Sequence, residues 1–293
     1  MKVGFVTILG RPNVGKSTLL NALLSKKVSI VTPRAQTTRD TISGILTEKD
    51  LQIVFVDTPG IFEGKERLYK EMKKSAFESS RDVNAILYLF DASSKSFEED
   101  FKILSSLRSE APRIFVLNKI DLIRLERAKE IKEEIGKAFP DVPLIEASFI
   151  ENFGIKEVKT AVLPYLEEGD PFYPEDWYTD KDLSYQAKEV IREKLLHFLH
   201  QEIPHQSAVF IDSIKEGKNG LEIDAIIYLE KENHKGMVIG KGGEMIKKIR
   251  VASLSEMGRM WHRPISSLTL KVEVNPNWRN DPKVLSKLGY GES

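Results

Sequence analysis

One octet constrains this chain more than any other feature: Gly10-Arg11-Pro12-Asn13-Val14-Gly15-Lys16-Ser17, after an apolar run at 3–9 and before a helical pattern at 17–24. It fits G-x-x-x-x-G-K-[ST] in the strand–loop–helix setting where that spacing has a physical purpose. Gly10 and Gly15 permit backbone angles that turn N–H groups inward, and the helix N-terminus behind them adds partial positive charge. From Arg11 through Pro12, Asn13 and Val14 to Thr18, the backbone can wrap a row of phosphates. The Lys16 side chain reaches the β- and γ-phosphates, and the Ser17 hydroxyl is placed to ligate Mg²⁺. The octet requires a nucleotide and leaves its base open.

The first half supplies the scaffold such a loop needs. Apolar runs at 51–56, 85–90, 113–117 and 142–145 alternate with amphipathic stretches at 65–80, 98–107, 124–138 and 155–165. Strands separated by helices of this length predict a mostly parallel α/β sheet flanked by helices. Runs without polar alternation predict strands covered on both faces. Residues 1–166 form this expected domain. An acidic linker is expected at 167–182, where Gly169, Pro171 and Pro174 sit among aromatics and residues 166–181 hold six acids against one base. From 183 to 293 the order becomes a long helix (183–201), strands at 208–215 and 221–229, a glycine-rich loop, a helix and a last strand at 268–274. That is an α+β domain of a different kind.

The base is selected by Asn118-Lys119-Ile120-Asp121, at the end of another apolar run. A carboxylate only accepts hydrogen bonds. Guanine offers it two adjacent donors, the ring N–H and the exocyclic amine, whereas adenine would leave it unpaired; polar sites of that kind discriminate by roughly 10⁴ or more. Asn118 is expected to hold the purine and brace the phosphate loop, with the Lys119 stem on the ring face. Between the two motifs, Asp57-Thr58-Pro59-Gly60 closes the 51–56 run. Asp57 is placed to hold Mg²⁺, through a water, and Gly60 to give its N–H to a γ-phosphate, a contact that vanishes on hydrolysis. Within Gln36-Thr37-Thr38-Arg39-Asp40-Thr41, Thr38 is the expected second hydroxyl on Mg²⁺, with Thr37 and Thr41 as competitors.

Charge and composition exclude other classes. The chain has 44 basic and 44 acidic residues, so any surface for a polyanion is local. With no cysteine there are no disulfides or thiolate metal sites. No signal-like start and no apolar run near the ~20 residues of a membrane span are present, so a soluble intracellular protein is expected. His197, His200, His205, His234 and His262 lack metal-ligand spacing, which leaves them surface or cap roles.

In the second domain, Val238-Ile239-Gly240-Lys241-Gly242-Gly243 carries a G-x-x-G between two helices, the device with which a KH domain clamps about four backbone nucleotides. The order helix, strand, strand, helix, helix, strand matches the type II arrangement. Residues 235–263, including Lys247, Lys248 and Arg250, hold seven bases against two acids, a patch able to neutralise phosphates. Trp278 and Arg279 could stack on bases, with core packing the alternative for Trp278.

G-R-P-N-V-G-K-S, T-T-R and D-T-P-G together resemble the TrmE–Era group of translation-factor-class P-loop GTPases. With the KH domain added, the whole chain is similar to the Era-type members. The resemblance implies GTP hydrolysis to GDP with Mg²⁺, catalytic roles around Lys16, Thr38, Gly60 and Asn13, and binding of single-stranded small-subunit ribosomal RNA during ribosome assembly. It also implies a cytoplasmic monomer with peripheral contact to the inner face of the membrane; a membrane GTPase binding anionic lipid is the alternative. Ile61 stands where Ras-like enzymes carry the water-orienting glutamine. In this group an asparagine at the Asn13 position can seat K⁺ near the phosphates; bracing the loop is its other reading. The last nucleotide-contact loop departs from the group's Ser-Ala-Lys: it reads Glu146-Ala147-Ser148, with the Ala147 N–H expected on the guanine carbonyl.

Overall fold

A computed structural model describes residues 1–32, 34, 37–61, 65–200 and 202–290. Gln36 and Gln201, named above, lie outside the described residues. The chain divides into two compact units. One comprises Met1–Ser29, Thr38–Gly64 and Met72–Asp180; the other comprises Ile30–Thr37, Lys65–Glu71 and Lys181–Ser293.

The first unit is built on β1 (Lys2–Gly10), β2 (Ile42–Glu48), β3 (Leu51–Asp57), β4 (Ala85–Asp91), β5 (Arg113–Asn118), β6 (Leu144–Glu146) and β7 (Glu167–Glu168). They form one sheet in the order β2-β3-β1-β4-β5-β6, with β7 beside the start of β1. The β3, β1, β4, β5 and β6 strands run parallel, while β2 is antiparallel to β3 and β7 to β1. The helices are α1 (Lys16–Leu24), α2 (Arg67–Glu78), which extends past the unit's edge at Glu71, α3 (Glu98–Ser106), α4 (Leu125–Ala138) and α5 (Ile155–Val162). Alternate residues of the parallel strands feed two cores. Val6, Ile8, Leu87 and Leu89 pack with Leu19, Leu20, Val158 and Val162; Leu9, Ile86, Tyr88 and Phe90 pack with Ile103, Leu104, Ile131 and Ile135. Burial on both faces is why these strands read as unbroken apolar runs.

Two features differ from the expectation. The edge strand β2 was not legible, and the stretch at 167–180 is hydrogen-bonded over this unit along its length. Glu167 and Glu168 pair with Val3 and Lys2. The Gln52 side chain accepts from the N–H groups of Phe172 and Tyr173 at 2.7 and 3.0 Å and donates to the Tyr173 carbonyl. Tyr178 accepts from Ile45, and the Ser43 hydroxyl donates to Asp180 at 3.0 Å.

The second unit contains α6 (Leu183–Phe198), β8 (Ser207–Gly217), β9 (Gly220–Leu229), α7 (Glu232–Ile239), α8 (Glu244–Trp261), β10 (Ile265–Val274) and α9 (Pro282–Lys287). Asp182 caps α6 by accepting from the Tyr185 N–H. The sheet order is β10-β9-β8, with β8 and β9 antiparallel and β10 parallel to β9. Ala187, Ile191 and Leu195 of α6 meet Ile249 and Met257 of α8 over Val209, Ile223, Ile227 and Leu268. This is the expected element order, with α9 added. No helix among the described residues is long and apolar enough to cross a membrane.

Candidate nucleotide site and nucleic-acid loop

The phosphate loop joins β1 to α1. Gly15 has φ 105°, and a Cβ there would run into the Asn118 amide, so both its angle and its closeness require glycine. Asn118 ties two loops together: Nδ2 donates to the Val14 carbonyl at 2.8 Å, and Oδ1 accepts from the Phe149 N–H at 3.2 Å. The Lys16 ammonium lies over the loop, donating to the carbonyls of Gly10 and Arg11 at 3.2 and 2.9 Å. Burial pushes its pKa down to about 8, and the Asp57 carboxylate opposes that only in part. Arg11 turns its guanidinium to Glu99 and Asp100 at 3.0 and 3.2 Å, leaving its backbone on the loop. Asn13, exposed at the tip, has φ 63°, and Thr18 is half-buried in the first turn of α1.

Around Ser17 the three threonines differ in their partners. Ser17 Oγ donates to Asp57 Oδ2 at 2.7 Å and lies 2.9 Å from Thr38 Oγ1. With the single Ser17 proton on Asp57, Thr38 is the donor of that pair. The Thr37 hydroxyl instead donates to the Arg34 carbonyl, and the Thr41 hydroxyl meets Ser75 at 2.6 Å. Asp57 Oδ2 also accepts from Ser29 at 2.9 Å, whereas Oδ1 is buried with no partner among the described residues. Burial raises the Asp57 pKa against the pull of Lys16 and the two serines. Two hydroxyls beside a carboxylate with one oxygen in hand are a donor set suited to Mg²⁺, a hard cation that takes oxygen ligands. Gly60 lies against Pro12, where a Cβ would come 2.7 Å from its Cα. The Ile61 N–H donates to the Gly10 carbonyl at 3.2 Å, and its side chain is 2 % exposed.

At the base end, Lys119 has φ 68° and donates through Nζ to Asp91 Oδ2 at 2.5 Å. The Ser148 hydroxyl donates to Asp121 Oδ1 at 2.5 Å. One expectation is corrected here. The Ala147 N–H donates to the Leu117 carbonyl at 2.9 Å as the last rung beside β5, so it does not face a ligand. The polar groups at the pocket come one and two residues later, from Ser148 and Phe149. Glu146 points elsewhere, to Lys132 at 2.8 Å.

The glycine loop of the second unit joins α7 to α8, with Gly240, Gly242 and Gly243 at φ 76°, 60° and 80°. A Cβ on Gly242 would meet nothing within 4 Å, so its angle, not space, selects glycine. Lys241, Lys247, Lys248 and Arg250 are exposed and Ile239 is half-buried, but Val238 is 0 % exposed and belongs to the core. Arg259 and Arg263 are paired with Glu256 and Glu216, which weakens that end of the basic patch. Of the two readings for Trp278, core packing holds: it is fully buried and donates to the Gln206 carbonyl at 3.1 Å. Arg279 is held by Glu230 at 2.5 and 2.8 Å and does not offer a stacking face. His234, expected in a surface or cap role, is buried in α7.

These geometries define a class: a P-loop guanine-nucleotide-binding domain followed in the same chain by a type II KH domain. Comparison with known proteins agrees in both parts. The family model described as 50S ribosome-binding GTPase matches residues 5–119, and that of the KH domain matches 202–279. GTPase Era of Caldanaerobacter subterraneus subsp. tengcongensis is 44 % identical over 99 % of this chain and 98 % of its own length. The Fusobacterium nucleatum GTPase Era is 43 % identical over all of both chains. Two solved structures each match with TM-score 0.95 over 100 % of both chains: a point variant of Aquifex aeolicus Era bound to GDP·AlF4⁻, 37 % identical, and an Era with MgGDPNP and nucleotides 1506–1542 of 16S ribosomal RNA, 38 % identical. The chain belongs to the Era family of GTPases, and it is a GTPase.

Proposed function

We propose that this GTPase is a nucleotide-controlled RNA binder. Bound GTP or GDP sets how well its KH domain holds single-stranded RNA of the small-subunit ribosomal 3′ region, and the protein acts in small-subunit assembly, in the cytoplasm. One observation carries the proposal: the Era solved with MgGDPNP and a 16S ribosomal RNA segment is like this chain along its whole length.

In this scheme Asp121 accepts from the two guanine donors while Asn118 and Lys119 flank the ring. Ser17, Thr38 and Asp57 would hold Mg²⁺, which would supply positive charge to the phosphate oxygens. Water attacks the γ-phosphorus in line, the bond to the β–γ bridging oxygen breaks, and GDP and phosphate leave. Lys16 Nζ and the loop N–H groups oppose the charge that grows on the oxygens in flight. The buried, apolar Ile61 cannot orient the water. A K⁺ ion held with Asn13 would supply the charge stabilisation that an arginine gives elsewhere. The Gly60 contact to the γ-phosphate ends with its departure, which makes that loop the sensor of nucleotide state.

On the RNA side, Gly240 to Gly243 approach the backbone while Lys241, Lys247, Lys248 and Arg250 neutralise phosphates. The test is filter binding of the full chain to RNA covering nucleotides 1506–1542, with GDP and with GDPNP, for wild type and Gly242→Asp. Nucleotide-dependent affinity, weakened about tenfold or more in the variant, is expected. Equal affinity in both nucleotide forms, or in both proteins, would contradict the proposal.

A further inference from the structure

Helix α3 carries a buried acid that the nucleotide chemistry above does not use. Asp100 is 2 % exposed, and Tyr88 of β4, which touches it, is 0 % exposed. The Tyr88 hydroxyl donates to Asp100 Oδ1 at 3.0 Å, and Nη1 of Arg11 donates to Oδ2 at 3.2 Å. Both neighbours donate, so the acid serves them as a carboxylate. Burial raises the Asp100 pKa, while the Tyr88 hydrogen bond and the Arg11 charge pull it back. Burial and then Asp100 push the Tyr88 pKa up, so the phenol keeps the proton that it donates. A carboxylate taken out of water is costly unless a cation and further hydrogen bonds meet it. Here each oxygen has its donor, and the cation comes from the phosphate loop.

Arg11 is the second residue of that loop, and its side chain is gripped twice. Besides the bond to Asp100, its Nε meets Glu99, the preceding residue of α3, at 3.0 Å. Two acids on adjacent residues and two nitrogens of one planar guanidinium leave the side chain little freedom to turn. Pro12 follows and narrows the backbone angles open to Arg11. On the main-chain side of the same residue, the Arg11 carbonyl accepts from Lys16 Nζ at 2.9 Å, closer than the Gly10 carbonyl at 3.2 Å. Asp100 and Lys16 therefore hold opposite ends of one residue. Every link, from Tyr88 to Lys16, lies within the first compact unit.

We propose that Asp100, braced by Tyr88, is a positioning residue for Lys16: by anchoring the Arg11 side chain it fixes the carbonyl that aims the ammonium at the phosphates. The inference rests on Lys16 acting on the β- and γ-phosphates, so the experiment begins with Lys16→Ala. The readouts, all on the full chain, are kcat and KM for GTP and the unfolding midpoint. Lys16→Ala is expected to lower kcat about a hundredfold or more, the loss of one preorganised donor. Asp100→Asn and Arg11→Ala are expected to lower kcat about tenfold each, because a small misplacement of a reacting group is costly, with KM changed about twofold or less. Arg11→Lys, whose ammonium can reach one of the two acids, is expected to recover part of the loss. The double variant decides how the acid acts: with Arg11→Ala already in place, Asp100→Asn is expected to change kcat no further. If Asp100→Asn does not fold, Tyr88→Phe, which keeps the ring and removes only the hydroxyl, takes its place in the same comparison, with an expected loss of about fivefold. Equal losses from Asp100→Asn or Tyr88→Phe with and without Arg11 would overturn the inference, and so would wild-type kcat in Arg11→Ala while Lys16→Ala is slow. A KM that rises as far as kcat falls, together with a lowered unfolding midpoint, marks a general loosening and would overturn it too. If Lys16→Ala hydrolyses GTP like wild type, the reading of the phosphate site fails and takes the inference with it.

Discussion

The Ser148 hydroxyl donates to Oδ1 of Asp121 at 2.5 Å. A carboxylate that selects a base by accepting from two adjacent donors must not rotate, and this bond pins one oxygen while the other stays able to accept. Ser148→Ala removes one hydrogen bond to a charged acceptor, worth about 1.5–3 kcal/mol. Calorimetry with GDP is expected to find binding weakened roughly ten- to a hundredfold, with the unfolding midpoint little changed.

Replacing the acceptor itself should change the ligand. Asp121→Asn puts an amide N–H₂ where the second oxygen was, which suits a base with a carbonyl at the position of the guanine amine. GDP affinity is expected to fall by roughly 10³–10⁴ while xanthosine diphosphate gains. Competition between the two nucleotides for the variant measures both changes, and a variant that kept its preference for GDP would go against the assignment.

Lys16 makes the phosphate site a proton-linked one. Its pKa is about 8 in the nucleotide-free fold and 10.5 ordinarily. Between those values the unfolded chain holds more protons than the folded one, so stability of the nucleotide-free protein rises with pH across that window. Below it the buried ammonium is a penalty of at most about 3 kcal/mol. Phosphate oxygens over Nζ restore the proton, so GDP binding near pH 9 should take up approaching one proton and near pH 7 almost none. Calorimetry in two buffers of different ionisation heat reads this directly; buffer-independent heats at both pH values would contradict it.

Asn13 sits exposed at the tip of the phosphate loop with φ 63°. If it helps to seat K⁺, GTP hydrolysis is faster in K⁺ than in Na⁺ by about tenfold or more, and Asn13→Ala erases the difference. Initial rates in the two salts at equal ionic strength settle it: identical rates, or a variant that still distinguishes the ions, would remove K⁺ from the mechanism.

Legibility in the sequence followed where the chemistry is local. The phosphate loop, Asp57 and Asn118 to Asp121 could be read because each needs neighbouring residues in fixed order, and the parallel strands because both faces are buried. The β2 strand escaped because Ile42–Glu48 is held by its pairing with β3, and its Gly44 and mixed polarity carry no period-2 signal. Three threonines within five residues look alike in sequence, and only their partners distinguish Thr38, beside Ser17, from Thr37 and Thr41. The expected Ala147 contact is absent because β6 extends to Glu146 and spends the Ala147 N–H on Leu117, which the spacing of the loop does not show. The acidic stretch after Leu166 looked like a linker because composition registers its exposure and not the Gln52 amide that holds it. Nothing in the helical pattern of α3 marks Asp100 as buried, since an acid in a helix's first turn reads as a solvated partner of its dipole.

The most direct test of the central claim is a calorimetric titration of the full chain with GDP and with ADP in Mg²⁺. The account predicts GDP binding tighter by roughly 10⁴ or more, with ADP at the edge of detection. Comparable affinities for the two would mean that Asp121 does not meet the base, and would contradict the account.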